Sequence, residues 1–145
     1  MGFGVAMETD VRWIPPGEAK EAWAAFLPAI RRGLARAGGD LTAESLMEAA
    51  QSGALSLWSI DLGGDAAGIA VIEVIDRPAR AAVSVILVAG RGMAGWIGPA
   101  LGALERYRVL NGAHKAEAVC RPGMARLLRR MGWRPKGVIM ESGGA

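Results

Sequence analysis

The chain has 145 residues, a net charge of +3 and an apolar content of 52%, which fits one domain with one core and excludes a disordered chain. Glycine is abundant but follows no triplet period, so collagen is excluded and the glycines are expected at turns and close backbone approaches. Cys120 is the only cysteine, so no internal disulfide can form and a reducing, cytoplasmic setting is expected.

Val11 to Ile14 predicts a short strand, ended by Pro15-Pro16, and proline is tolerated at the helix start that follows. Trp23, Phe26, Leu27, Ile30 and Leu34 are spaced by three and four and share one helical face. Pro28 is expected to kink or divide that helix, and Gly38-Gly39 to stop it. Thr42 is the expected N-cap of a second helix, with Glu44 in its first turn, running to about Gln51 and ended by Gly53.

Three strands follow: Ala54 to Asp61, Ala67 to Asp76 and Ala81 to Val88. The first two are joined by the turn Leu62-Gly63-Gly64-Asp65, and Arg77-Pro78 breaks the second. The third is nearly all apolar, as in a strand covered on both faces. A glycine-rich loop, Ala89 to Gly95, then opens a helix that turns Ile97, Leu101, Leu104 and Tyr107 inward and ends at Asn111-Gly112. Ala116 to Cys120 predicts a short strand. Met124, Leu127, Leu128 and Met131 form an apolar helical stripe stopped by Gly132, and Val138 to Glu141 predicts a last strand.

The expected order is β-α-α-β-β-β-α-β-α-β, in one domain over residues 1–145 with an ordered core at about 9–141. Met1 to Asp10 has no secretory pattern, and Gly92 to Leu104 is too short and glycine-rich to span a bilayer.

Arg121, Arg126, Arg129, Arg130, Arg134 and Lys136 form a basic cluster without an intervening acid. It reads either as a site for phosphates or an acidic partner, or as a solvated helix face. Cys120 reads as a small buried apolar residue and His114 as a loop residue. The two alone cannot make a structural zinc site, so no metal is expected. The five tryptophans read as core or interface anchors, and no nucleic-acid motif accompanies them.

The element order resembles the GNAT superfamily of N-acetyltransferases over nearly the whole chain. Two local patterns carry the likeness. One is the strand followed by Arg91-Gly92-Met93-Ala94-Gly95-Trp96 and a helix, where the family has Arg/Gln-x-x-Gly-x-Gly/Ala. The other is Arg121-Pro122-Gly123-Met124 through Gly132-Trp133, similar to the family's late strand-to-helix segment. The chain also looks like GNAT-like proteins encoded by some bacteriophages, with a Gly-Met-x-x-Trp helix start and an Arg-rich helix.

The resemblance implies an α/β (α+β) fold with a mixed central sheet whose fourth and fifth strands splay. It implies acetyl-CoA as cofactor and a small or protein amine as acceptor. Leu87 and Val88 would pair with the pantetheine arm. The amides of Arg91, Gly92, Met93, Ala94, Gly95 and Trp96 would hold the pyrophosphate at a helix start, with Arg91 adding charge. Ala94 stands at the family's first glycine and Trp96 at its second small residue. The indole either fills the pyrophosphate space or packs into the core, and a one-residue slip would place Gly92 and Gly95 differently.

Leu128 stands where many relatives have a tyrosine acid, and Arg121 where an asparagine is common. Glu73 interrupts an apolar strand, sharing a face with Ile69, Val71 and Ile75. It reads either as a general base whose partial burial raises its pKa, or as a surface glutamate. Two functions follow as expectations. One is acetyl transfer to an amine. The other is a non-catalytic GNAT-like protein of a bacteriophage virion, working through protein contacts.

Overall fold

The computed structural model describes residues 8–37, 41–140 and 142–143. Five strands form one sheet in the order β1-β2-β3-β4-β5. They are β1 (Thr9–Ile14), β2 (Ser56–Leu62), β3 (Asp65–Ile75), β4 (Ala82–Gly90) and β5 (Lys115–Ala118). The first four run antiparallel to their neighbours, and β5 lies parallel to β4. Four helices accompany them: α1 (Ala19–Ala37), α2 (Ala43–Ser52), α3 (Met93–Leu110) and α4 (Pro122–Arg130).

A 3₁₀ turn over Pro16–Glu18 leads into α1, with proline in its first turn where a missing N–H costs nothing. Thr42 caps α2: its side chain accepts from the Ser45 amide at 3.0 Å, and the Thr42 amide donates to Ser45 Oγ at 3.1 Å. Gly53 ends α2 in the left-handed region, as the sequence implies. Gly63 and Gly64 both take positive φ in the two-residue turn between β2 and β3, the geometry that matches strand twist.

The core lies on both faces of the sheet. On one face Trp23, Ile30, Leu46 and Ala50 of α1 and α2 pack over Leu57, Ile69, Val71, Leu87 and Ala89. On the other, α3 brings Leu104 over Ile72 and Val83, and Trp96 over Ile60 and Ala67. The strand alternation thus sends Ile69 and Val71 to one layer and Ile72 to the other.

Three expectations are corrected. Pro28 does not divide α1, which runs unbroken from Ala19 to Ala37. Trp23 and Ile30 anchor it to the core on both sides of the proline, so tertiary packing overrides the lost hydrogen bond. The strand expected at 138–141 is absent among the described residues. Gly137–Met140 meets no neighbouring strand to pair its N–H and C=O groups, and Glu141 lies outside the described residues. Cys120 is exposed rather than buried, because β5 ends at Ala118 and the chain leaves the sheet before it. The expected stop at Gly38-Gly39 lies outside the described residues.

Candidate functional site

The site begins where two strands part. β4 and β5 pair from Ala82↔Lys115 to Val85↔Ala118, while β4 alone continues to Gly90. At the same level β4 is bulged. Val71 faces Leu87 but the next residue, Ile72, faces Val85, so Ile86 is an extra residue. A bulge bends and twists its strand, and here it turns β4 away from β5. Beyond Val85 no strand among the described residues pairs with the backbone of β4 on that side.

The gap is an open cleft of about 150 Å³. Ile86, Leu87 and Val88 form one wall, and Val119, Cys120 and Arg121 the other. Leu128 of α4 and Trp96 of α3 close its inner side. The lining is largely apolar, and although Cys120 is exposed, partial desolvation beside it pushes the Cys120 thiol up, away from the thiolate form a nucleophile needs.

At the far end of β4 the chain turns into α3. Gly92 is the N-cap, in the left-handed region at φ 66, and the Gly95 amide donates to the Gly92 carbonyl at 2.9 Å. The Arg91 amide is occupied, donating to Ala67 O at 3.0 Å. The open helix start therefore presents the amides of Gly92, Met93 and Ala94, with the positive end of the helix behind them. A Cβ at Gly92 or Gly95 would meet nothing within 4 Å, so the approach to these amides is clear.

Trp96 takes the core position of its two expected places. It is fully buried, and its indole N–H donates to the Arg91 carbonyl at 2.8 Å. The ring lies beneath β3 with Ile60 and Ala67, not across the amides. The ring's bulk is directed inward, and its hydrogen bond to the Arg91 carbonyl ties down the loop.

Arg91 and Arg121 are both exposed, Arg91 beside the helix start and Arg121 as N-cap of α4 and part of the cleft wall. Arg126, Arg129, Arg130, Arg134 and Lys136 are exposed as well. The starts of α3 and α4, each with an exposed arginine, thus lie beside one largely apolar cleft.

Glu73 sits half-buried on β3 opposite Ser84 of β4, and Ser84 in turn faces Glu117 of β5. Residues directly opposite share a face, so Glu73, Ser84 and Glu117 form a row across three strands on the α1–α2 side. The row lies one position before the last β4–β5 pair, beside the apex of the cleft and not among its lining residues. Arg77 makes a two-pronged pair with Glu117, and Lys115 stands 3.5 Å from it. The Arg77 hydrogen bonds, aided by Lys115, hold the Glu117 carboxyl below its usual range. Glu73 is paired to no cation among the described residues.

Tyr107 is remote from this chemistry. Its ring meets Trp58 edge-on with centroids 5.2 Å apart, and its hydroxyl lies 3.5 Å from Ser56 Oγ. Leu128, buried in the cleft wall, is the side chain at the position of the expected tyrosine. His114 lies in the exposed loop before β5 against Arg80, as the sequence implies. Sequence reasoning missed the bulge at Ile86, which no residue type announces, and the Glu73–Ser84–Glu117 row, which depends on register.

No known-family profile and no curated protein sequence matches the chain. Solved structures do. A GCN5-related N-acetyltransferase from Ralstonia eutropha superposes with a TM-score of 0.69 at 16% identity, over 93% of this chain and 98% of that one. The aminoglycoside N-acetyltransferase AAC(6')-Iy in complex with CoA gives 0.65 at 13% identity, over 97% of both chains. An aminoglycoside acetyltransferase from an uncultured soil metagenomic sample, in complex with sisomicin, gives 0.68 at 9% identity, over 94% and 97%. The chain therefore has the GNAT fold, with its mixed sheet and parted fourth and fifth strands. The narrower likeness to bacteriophage proteins gains no support from these neighbours. No helix among the described residues is long and apolar enough to cross a membrane.

Proposed function

We propose that the chain binds acetyl-CoA in the cleft between β4 and β5 and transfers the acetyl group to a small primary amine. The observation that carries this reading is the combination of a parted β4–β5 pair with an unobstructed helix start at its end. The fit is good in kind: apolar walls suit a pantetheine arm, and free amides with adjacent arginines suit phosphates. Leu87 and Val88 would flank the arm, Gly92, Met93 and Ala94 would hold pyrophosphate, and Arg91 and Arg121 would add charge. Met93 and Gly95 supply backbone geometry, and Trp96 holds the loop from beneath.

When bound, the thioester supplies an activated acyl carbonyl. The remaining work falls to this chain's residues. Glu73, on the α1–α2 face beside the apex, would take the proton from an incoming amine, directly or through one water; what supports this is its half-buried position opposite Ser84, unpaired to any cation among the described residues. Glu117, neutralised by Arg77 and Lys115, positions that side of the sheet without acting as a base. Proton delivery to the departing sulfur falls to solvent, because Leu128 has none to give. The acyl acceptor is a small amine by analogy with the aminoglycoside enzymes of the same fold.

Calorimetric titration with acetyl-CoA tests the binding step, and release of free thiol in the presence of sisomicin or a simple primary amine tests transfer. Saturable binding and thiol release are expected, with Glu73→Gln leaving binding intact and slowing transfer by about 10²-fold or more. Absence of acetyl-CoA binding overturns the reading. A second reading, acyl-CoA binding without turnover, is favoured by Leu128 at the acid position. It is selected if acetyl-CoA binds and no amine is acetylated.

A further inference from the structure

Arginines elsewhere on the molecule meet carboxylates: Arg31 pairs with Glu44, Arg77 with Glu117 and Arg108 with Glu105. Those of α4 do not. Arg126, Arg129 and Arg130, with Arg134 and Lys136 just beyond, are all exposed, and none is paired with a carboxylate among the described residues. No acidic residue interrupts the chain from Arg121 to Met140. These five cations exceed the net charge of +3, so the rest of the chain is net acidic and the excess positive charge is gathered on α4 and the segment after it. Arg126, Arg129 and Arg130, spaced by three and four, share the helix face opposite the buried Leu128. The helix dipole favours cations in the last turn, which accounts for Arg129 and Arg130. It does not account for Arg126, nor for Arg134 and Lys136 beyond the helix.

The same end of the molecule exposes apolar side chains. Trp133, just past α4, and Tyr107, in the last turn of α3, pack against one buried cluster that includes Ala113, so the two helices finish near each other. Val109 and Leu110 close α3 at 62% and 83% exposed. Val138, Ile139 and Met140 follow Lys136 closely in the chain at 84%, 70% and 84%. Exposed apolar residues scattered singly are ordinary, but two consecutive runs beside a basic helix face call for a partner.

We propose that this end of the protein docks on an anionic lipid surface, with the cations of α4 and of the segment after it on the headgroup phosphates and Val138 to Met140 entering the headgroup boundary. Basic side chains beside aliphatic ones suit such an interface, where Coulomb attraction and apolar burial act together. A nucleic acid would use the same charge but gains little from aliphatic side chains, and its bases are held by stacking on aromatic rings. The one ring in this segment, Trp133, is packed into the core cluster. The inference uses neither Arg91 nor Arg121 and is independent of acyl-CoA binding.

Co-sedimentation of the full chain with vesicles tests it. The protein should pellet with vesicles of phosphatidylcholine mixed with phosphatidylglycerol, stay in solution with phosphatidylcholine alone, and be largely released as salt rises. Arg126→Gln with Arg130→Gln should weaken the partitioning about thirty-fold. Lys20→Gln with Arg32→Gln removes the same charge from α1 and should change it little. Val138→Ser with Ile139→Ser should weaken it too, chiefly in the part that survives at high salt. All of these positions are exposed, so circular dichroism should report an unchanged fold for each variant. Failure to bind the phosphatidylglycerol vesicles overturns the proposal. So does an equal loss from the two charge-removing pairs, which would mean that net charge alone is at work. A preference for duplex DNA over the vesicles overturns it as well and gives the surface to nucleic acid.

Discussion

The indole of Trp96 lies so close to Gly68 that a Cβ on that glycine would stand 2.8 Å from Cζ2 of the ring. The same Cβ would be 3.2 Å from the Ala89 carbonyl, so strand, ring and neighbouring strand are in mutual contact. Gly68→Ala is expected to cost about 1–3 kcal/mol by overpacking. Added to Trp96→Phe, whose smaller ring frees the space, the alanine should cost measurably less. A urea-unfolding double-mutant cycle reads the coupling, and strict additivity would refute the contact. Trp96→Gly removes a core anchor and is expected to lose about 3–5 kcal/mol or more, so it opens no cofactor loop in a folded protein.

Ala94 is exposed in the first turn of α3, where a negative side chain suits the helix but opposes a phosphate. Ala94→Glu should leave thermal stability unchanged or slightly raised and weaken acetyl-CoA binding by about tenfold or more, the equivalent of about 1.4 kcal/mol. Ala94→Ser should do neither. Calorimetry on the three proteins distinguishes a phosphate subsite at this helix start from binding elsewhere.

Thr42 satisfies one orphan amide of α2 and Ser45 returns the bond, in a reciprocal cap made by two hydroxyls. Thr42→Ala is expected to cost about 1 kcal/mol, measured by denaturant unfolding. Because Leu46 and Ala50 of that helix are buried against the α1 layer, the loss should appear in global stability rather than as local fraying.

The Arg77–Glu117 pair sets an acid limb. Arg77 holds the Glu117 carboxyl below its ordinary value of 4.5 in the folded protein. The contribution to stability is therefore complete above that value and is lost as pH falls through the lower folded pKa. Glu117→Gln should lower the melting temperature modestly at pH 7 and converge with the natural protein at strongly acid pH. An unchanged gap at both ends would rule out the pair as the source.

The helices and most strands were legible because their signals are local. Thr42, Gly53 and the Gly63-Gly64 turn act through neighbours in sequence, and each stands where its chemistry predicts. Pro28 misled because its cost is local but its compensation is not: Trp23 and Ile30 hold the helix from the core. The 138–141 strand misled for the converse reason, since a β-prone run becomes a strand only beside an available edge. At the site, the glycine loop and its helix were readable, whereas the direction of the Trp96 ring was not. That direction depends on Gly68, 28 residues earlier in the chain and in contact with the ring only once β3 and β4 are paired.

The extra residue at Ile86 has one more consequence. By turning β4 aside, it leaves the β4 main chain beyond Val85 unpaired beside the apolar side chains that line the cleft, and an amide or carbonyl is supplied by every residue type. The main-chain part of such a wall leaves almost no trace in composition, while the side chains beside it need only stay apolar. The fold itself is held by solved structures at 9–16% identity that overlay nearly the full length of this chain.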